Sequence, residues 1–139
     1  MPFETTVQVR FGDIDGAGIV FYPRYFEMLN SAMEDWFAGA LGLDFHTMHM
    51  AEDRGIPVVD ISASFSAPSV LGDILTVTIV PLTLGTSSCR VEARFSCNGQ
   101  HRLTMQMTVV WMSLTERKAK PWPPELRERI SAGVVEQTA

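Results

Sequence analysis

The stretch FGDIDGAGIVFYP, Phe11 to Pro23, lies between two segments whose apolar residues repeat with different periods. Residues 5–11 alternate between apolar and polar side chains, which predicts a half-buried strand. After the stretch, apolar residues recur at helical spacing, and Pro23 and Gly42 supply the start and stop signals of a helix of about 18 residues. The chain therefore passes from a strand, through a glycine-rich loop, into a long helix that is apolar around much of its circumference.

The region after this helix is strand-like almost to the end of the chain. Short turn sequences divide it, and Asn98-Gly99 is a strong hairpin signal among them. Strands are predicted over residues 57–66, 74–80, 89–97 and 103–111, after a helical turn or loop at 46–53 and before a short helix at 125–130. The tight turns predict antiparallel pairing of consecutive strands. We expect residues 1–139 to form one α+β domain, in which a curved antiparallel sheet wraps around the long helix.

Composition and charge exclude several classes of function. The 139 residues are 46% apolar and 19% charged, which is typical of a folded globular domain. A formal net charge of −5 disfavours a general nucleic-acid binder. The sequence begins without a signal-peptide pattern, and its apolar runs are shorter than the roughly 20 residues of a membrane span. We therefore expect a cytoplasmic protein with no membrane partner, in which Cys89 and Cys97 are buried free thiols.

Two ligand-binding loops do not fit the quoted stretch. An EF-hand calcium loop that began at Asp13 would need an oxygen ligand at its fifth position and a carboxylate at its twelfth, where Ala17 and Arg24 stand. A phosphate-binding loop fails because the three glycines lack G-x-G-x-x-G spacing and no Gly-Lys-Ser/Thr follows.

A carboxylate presented to a substrate fits the stretch better. Gly16 and Gly18 allow a tight turn, and Gly18 is expected to let the substrate approach the backbone. The following helix begins with unpaired N–H groups at the positive end of its dipole, where an oxyanion could be held. A carboxylate beside such donors suits cleavage of an acyl bond, as nucleophile or as general base. The alternative is that Asp13 and Asp15 only cap local turns, and the residues alone leave both interpretations open.

The run Phe11–Tyr25, FGDIDGAGIVFYPRY, resembles the signature of the 4-hydroxybenzoyl-CoA thioesterase family of hotdog-fold proteins. The resemblance implies a sheet wrapped around a central helix, and hydrolysis of an acyl-CoA thioester without metal or redox cofactor. It places the catalytic carboxylate on Asp15 and the backbone N–H that polarises the thioester carbonyl on Tyr22, with Asp13 in a supporting role. It also implies a homodimer or homotetramer with active sites at the subunit interface, where Asn30 would face the acyl group.

The sequence departs from this family pattern at two positions. The proline that usually follows the catalytic aspartate is Gly16, which loosens the loop but keeps its reach. The helix carboxylate that meets the substrate hydroxyl in the 4-hydroxybenzoyl branch is Asn30, which can hydrogen-bond a hydroxyl but carries no charge. The acyl group is therefore expected to be aromatic, such as 4-hydroxybenzoyl, or of short to medium chain length.

Polar residues outside the loop give weaker hypotheses. Ser87, Ser88 and Arg90 follow a glycine turn and are candidates for contacts with the coenzyme A phosphates, although an ordinary turn is the favoured explanation of these residues. His46 and His49 have H-x-x-H spacing but lack a third ligand nearby, so we expect surface or interface histidines and no metal site.

Two other functions stay open at this point. A hotdog hydratase or dehydratase would pair an acid with a histidine, and the sequence places no histidine near the loop. A hotdog protein that binds acyl-CoA without hydrolysing it would need no chemistry at Asp15.

Overall fold

The computed structural model of the chain describes residues 2–134. Its strands and α-helices are, in chain order, β1 (Phe3–Gln8), α1 (Pro23–Trp36), β2 (Arg54–Gly55), β3 (Val58–Phe65), β4 (Ile74–Leu84), β5 (Ser88–Cys97), β6 (Gln100–Val110), β7 (Met112–Ser113), β8 (Lys118–Ala119) and α2 (Pro124–Ala132). The five predicted strands and both predicted helices are present, with bounds that differ from the predictions by a few residues.

The long strands form one antiparallel sheet in the order β1-β4-β5-β6-β3. The prediction that consecutive strands pair is wrong for β3, which pairs with β6 from Phe65 opposite Leu103 to Val58 opposite Val109. The reason is the connection of residues 66–73, which is too long for a tight hairpin turn and carries the chain across to β4. As a result, β3 lies at the edge of the sheet.

A second, small sheet joins β2, β7 and β8. The sequence did not predict it, because strands of two residues are too short to show alternation between apolar and polar side chains.

The core lies between α1 and the concave face of the long sheet. Helix α1 contributes six buried side chains, Tyr25, Met28, Leu29, Ala32, Met33 and Trp36. The sheet contributes alternate residues, among them Leu75, Val77, Ile79, Val91, Phe95, Leu103, Met105 and Val109. Cys89 and Cys97 are buried free thiols in this layer, as predicted. The predicted α+β class, an antiparallel sheet wrapped around a central helix, is confirmed.

The buried apolar surface of α1 continues beyond its last residue, Trp36. A π-helical turn, Phe37–Leu41, extends it and buries both of its end residues. The turn ends at Gly42, whose φ of 74° lies in the left-handed region that favours glycine. One face of α1 stays exposed and polar, with Glu27, Asn30, Ser31 and Glu34 on it.

Candidate active site

The loop between β1 and α1 folds back on itself as a narrow hairpin. The Phe21 N–H donates to the Asp13 carbonyl at 2.8 Å, and the Asp15 N–H donates to the Ile19 carbonyl at 2.9 Å. At the tip, the Gly18 N–H returns to the Asp15 carbonyl at 3.0 Å, and Gly18 has a φ of 79°. A residue with a Cβ would be strained at Gly18, so the sequence fixes the tight tip there.

The two carboxylates of this loop have different surroundings. Oδ2 of Asp13 accepts the backbone N–H of Arg10 at 2.8 Å, which fastens the turn where the chain leaves β1. Oδ1 of Asp15 accepts the Ala17 N–H at 2.8 Å, as in the turn-capping interpretation, whereas Oδ2 has no donor among residues 2–134. Asp15 is exposed and Asp13 only half so. Oδ1 of Asp13 likewise has no donor in this range, so exposure is what distinguishes the two: the free oxygen of Asp15 is the more accessible to a substrate or a water molecule.

The start of α1 presents one unpaired backbone donor. The Arg24 N–H donates to the Phe21 carbonyl at 2.8 Å, and the Tyr25 N–H donates to the Tyr22 carbonyl at 3.1 Å. Pro23 has no N–H, and the Tyr22 N–H has no protein acceptor in the described part of the chain. This donor lies at the positive end of the helix dipole, where it can polarise a carbonyl oxygen.

A groove of about 320 Å³ adjoins Tyr22. Its walls come from the end of the hairpin loop, the first turn of α1 and the segment after β3, and they are Ile19, Val20, Tyr22, Tyr25, Phe65, Ser66, Ala67 and Pro68. Most of this lining is apolar, so the groove suits an uncharged organic chain rather than a phosphate.

A second cavity of about 320 Å³ lies one turn farther along α1. It is lined by Phe26, Leu29, Asn30, Val58, Ile61 and Met107. Asn30 is the one polar residue in this lining, and its amide makes no hydrogen bond with residues 2–134. The cavity can therefore hold an apolar group that carries a single polar substituent. Both cavities lie between α1 and the edge strand β3.

Ser87, Ser88 and Arg90 are not brought to the loop within one chain. Ser88 pairs with Val110, at the end of β5 that lies far from residues 65–68. Arg90 lies on the convex face of the sheet, where its guanidinium binds Asp60 at 3.1 Å. The coenzyme A contacts proposed for these three residues stay a prediction.

Sequence reasoning missed a polar cluster that supports the loop. The Arg102 guanidinium donates to the Asp73 carboxylate at 2.8 Å and to the Ser69 hydroxyl at 3.1 Å. The Val70 N–H, first, and then Arg102 lower the pKa of Asp73 below its usual value. Arg102 lies just before the predicted strand 103–111, so the alternation of that strand gave no direction for its side chain. A β-bulge, invisible to alternation, is what turns Arg102 inward.

Between residues 2 and 134, no group of three or more His, Cys, Asp or Glu side chains could hold a metal ion. His46 is exposed, and Nδ1 of His49 lies 2.7 Å from the Phe45 carbonyl oxygen. Over the same range, the helices are too short or too polar to cross a bilayer.

Comparison with known proteins agrees with this geometry. Residues 9–130 match the model of the Thioesterase-like superfamily. The 1,4-dihydroxy-2-naphthoyl-CoA hydrolase of Synechococcus elongatus is 30% identical over 123 residues, covering 86% of this chain and 88% of that protein.

Two solved structures share the fold over nearly the whole chain. The 1,4-dihydroxy-2-naphthoyl-CoA thioesterase of Synechocystis has a TM-score of 0.84 at 27% identity, covering 94% of this chain and 96% of that one. A gentisyl-coenzyme A thioesterase has a TM-score of 0.83 at 26% identity, covering 90% of this chain and 99% of that one. The hairpin loop, the helix start and the family match together lead to one conclusion: the chain belongs to the Thioesterase-like superfamily.

Proposed function

We propose that this protein hydrolyses an acyl-CoA thioester to a free acid and coenzyme A. The observation that carries the proposal is the presence, in one loop, of a carboxylate oxygen on Asp15 and a backbone N–H on Tyr22 that have no hydrogen-bond partner among residues 2–134. The two groups belong to one hairpin loop and the helix start that follows it, and an apolar groove adjoins Tyr22. Residues 1–139 act as one hotdog domain in this proposal.

The reaction needs each of these groups for a separate task. The Tyr22 N–H binds the thioester carbonyl oxygen and stabilises the negative charge that develops on it. Asp15 either attacks the carbonyl carbon, forming an anhydride that water then cleaves, or takes a proton from the attacking water. In both routes the carbon–sulfur bond breaks, the thiolate of coenzyme A leaves and is protonated, and the acid is released.

The acyl group in this proposal is aromatic and carries a hydroxyl. The cavity around Asn30 is apolar except for one amide, which suits a ring with a single hydrogen-bonding substituent. The related proteins named for 1,4-dihydroxy-2-naphthoyl-CoA and gentisyl-CoA support an aromatic hydroxyacyl substrate. 4-Hydroxybenzoyl-CoA fits the same description, and short or medium straight-chain acyl-CoA is the alternative.

A second copy of the chain completes the site in this proposal. Strand β3 is an edge strand, and Val58, Ile61 and Phe65 are exposed along it. The same three residues line the two cavities, so a strand laid against this edge would close them. A homodimer, alone or within a homotetramer, therefore places the active sites at the subunit interface. Gly18, at the exposed loop tip, is the proposed backbone contact for substrate.

The test is free-thiol release from a panel of acyl-CoA substrates by the wild type and by Asp15→Asn. The panel contains 4-hydroxybenzoyl-, 1,4-dihydroxy-2-naphthoyl-, gentisyl- and straight-chain acyl-CoA. Loss of the carboxylate should lower kcat about a hundredfold or more. Asp13→Asn is the matched control, because its amide oxygen still accepts the Arg10 N–H, and it should stay within about tenfold of the wild type.

The rival functions are separated by this assay together with two further measurements, of acyl-CoA binding and of enoyl-CoA hydration. Tight acyl-CoA binding without thiol release, unchanged in Asp15→Ala, indicates a non-hydrolytic binding protein. Addition or removal of water across an enoyl-CoA double bond indicates a hydratase or dehydratase. Thiol release by Asp15→Asn at the wild-type rate shows that the carboxylate has been assigned wrongly.

A further inference from the structure

Arg102 is a nearly buried cation at the start of β6, with 9% of its surface exposed. The register between β5 and β6 shifts at this point: Phe95 pairs with Leu103, whereas Ser96 pairs with His101. Arg102 is therefore the extra residue of a β-bulge, and the bulge directs its side chain towards the segment after β3. Arginine is rarely buried unless it is paired, so the burial points to a specific task.

The main chain and the side chain of Arg102 both bind residues 66–73. Its carbonyl oxygen accepts the Ser66 N–H at 2.8 Å. Its Nη1 donates to the Pro68 carbonyl at 3.0 Å, the Ser69 hydroxyl at 3.1 Å and the Asp73 carboxylate at 2.8 Å. One arginine thus holds both ends of the segment.

Residues 66–73 in turn bind both arms of the hairpin loop. On the entering arm, the Val9 N–H donates to the Asp73 carbonyl at 2.8 Å, and Val9 accepts the Gly72 N–H at 3.0 Å. On the leaving arm, the Val20 N–H donates to the Ser69 carbonyl at 2.9 Å. Val20 is two residues before Tyr22, so the position of Ser69 sets where the helix begins.

We propose that Arg102 is a positioning residue for thioester cleavage, acting through residues 66–73 on the loop that carries Asp15 and Tyr22. This inference rests on the proposed function. Arg102 lines neither of the two cavities, so its effect on the reaction passes through the segment it holds.

The guanidinium group is suited to this task by its reach and its charge. Its Nη1 carries two hydrogens and lies within hydrogen-bond distance of three acceptors, so at least one hydrogen is shared between two of them. Without it, the Asp73 carboxylate loses its cation, and the Pro68 and Ser69 oxygens lose a donor. Lysine can restore the charge, but its side chain is one atom shorter than the path to Nη1, so Arg102→Lys should recover only part of the function.

Hydrogen exchange tests the placement of the loop without any assay of activity. In Arg102→Ala, the Val20 amide should exchange about tenfold faster or more, because the loop opens locally. The matched control is Arg129→Gln, since Arg129 also joins a carbonyl, that of Leu41, to a carboxylate, that of Glu125, on α2. The control should leave Val20 exchange unchanged. Equal Val20 exchange in Arg102→Ala and the wild type overturns the proposal.

Kinetics then link the placement to the chemistry. For Arg102→Ala, kcat should fall about a hundredfold with a smaller change in KM, measured well below the unfolding midpoint. Free guanidinium at low concentration should fill the gap and recover part of kcat, whereas sodium chloride at the same ionic strength should not.

Faster loop exchange with an unchanged kcat overturns the proposal. The proposal is also overturned if kcat falls equally in Arg129→Gln and if guanidinium does not restore kcat in Arg102→Ala. If the wild type releases no thiol, the proposed function fails, and the exchange data still decide whether Arg102 holds the loop.

Discussion

The carboxylate of Asp73 and the guanidinium of Arg102 form an ion pair of 2.8 Å between the segment of residues 66–73 and β6. The Val70 N–H, 3.0 Å from the same oxygen, is the larger cause of the lowered pKa of Asp73, and Arg102 is the second. The pKa in the unfolded chain is about 3.9. Because the folded value is lower, the stabilisation is complete above the unfolded pKa and is lost as pH falls through the folded one.

Asp73→Asn should therefore lower the free energy of unfolding at neutral pH, and its difference from the wild type should shrink under acid. Urea titrations at a series of pH values between about 6 and 2 measure this difference. The comparison is between variant and wild type because Asp53, bonded to Ser113, and Asp44, bonded to Thr47, also have lowered pKa values. A difference that stays constant across the series would contradict the stabilising role of the ionised carboxylate.

Replacement of Asn30 should change the choice of substrate. Asn30→Leu removes the one amide of the second cavity, so a substrate hydroxyl there would lose a hydrogen bond of about 0.5–1.5 kcal/mol. We expect kcat/KM for 4-hydroxybenzoyl-CoA to fall about two- to tenfold, while that for benzoyl-CoA holds or rises. Ser31→Ala, next to Asn30 and outside both cavities, is the control. Equal effects on both substrates would rule out contact between Asn30 and the hydroxyl.

A charge on β3 should separate the subunits. Val59 is 62% exposed on this edge strand, and Val59→Lys would place a cation where a second copy is proposed to pair. If the wild type is the proposed oligomer, light scattering coupled to gel filtration should then show a single chain for this variant, with reduced thiol release. Met50→Lys, at another exposed apolar residue, should keep the wild-type mass. A Val59→Lys variant of unchanged mass would place the interface elsewhere.

The two thiols should not react with an alkylating reagent in the folded protein. Cys89 is buried, and burial raises its pKa to about 12, so its reactive thiolate is scarce at neutral pH. Iodoacetamide should label neither Cys89 nor Cys97 without denaturant and both in urea, as counted by mass spectrometry. Labelling of Cys89 in native buffer would show that this strand opens readily.

The fold could be predicted from the sequence where an apolar repeat or a turn motif involves residues that are neighbours in the chain. Alternation located the strands, helical spacing located α1, and Asn98-Gly99 marked the β5–β6 hairpin, where both residues have positive φ. The pairing of β3 with β6 was not predictable, because alternation reports which face a residue occupies and carries no information about its neighbouring strand.

The candidate site could be proposed from the sequence to the extent that its residues lie in one continuous loop. The carboxylate before a helix start pointed to Asp15 and Tyr22 from local chemistry and from the family resemblance. The support given by Arg102 was not predictable, because it joins β6 to residues 66–73, which are distant in sequence, and because it depends on a β-bulge that local patterns do not reveal. The cavity that contains Asn30 also depends on β3, and so on the same distant pairing.

The edge position of β3 has a consequence for the order in which the protein folds. During synthesis β3 emerges directly after the helical region, but its partner β6 follows only after β4 and β5 have been made. Until then β3 has no strand of its own chain to join, while its exposed Val58, Val59 and Ile61 favour association with other chains. The five-stranded sheet can therefore form only once β6 has been synthesised. A nascent chain that stalls before β6 is the form most exposed to aggregation.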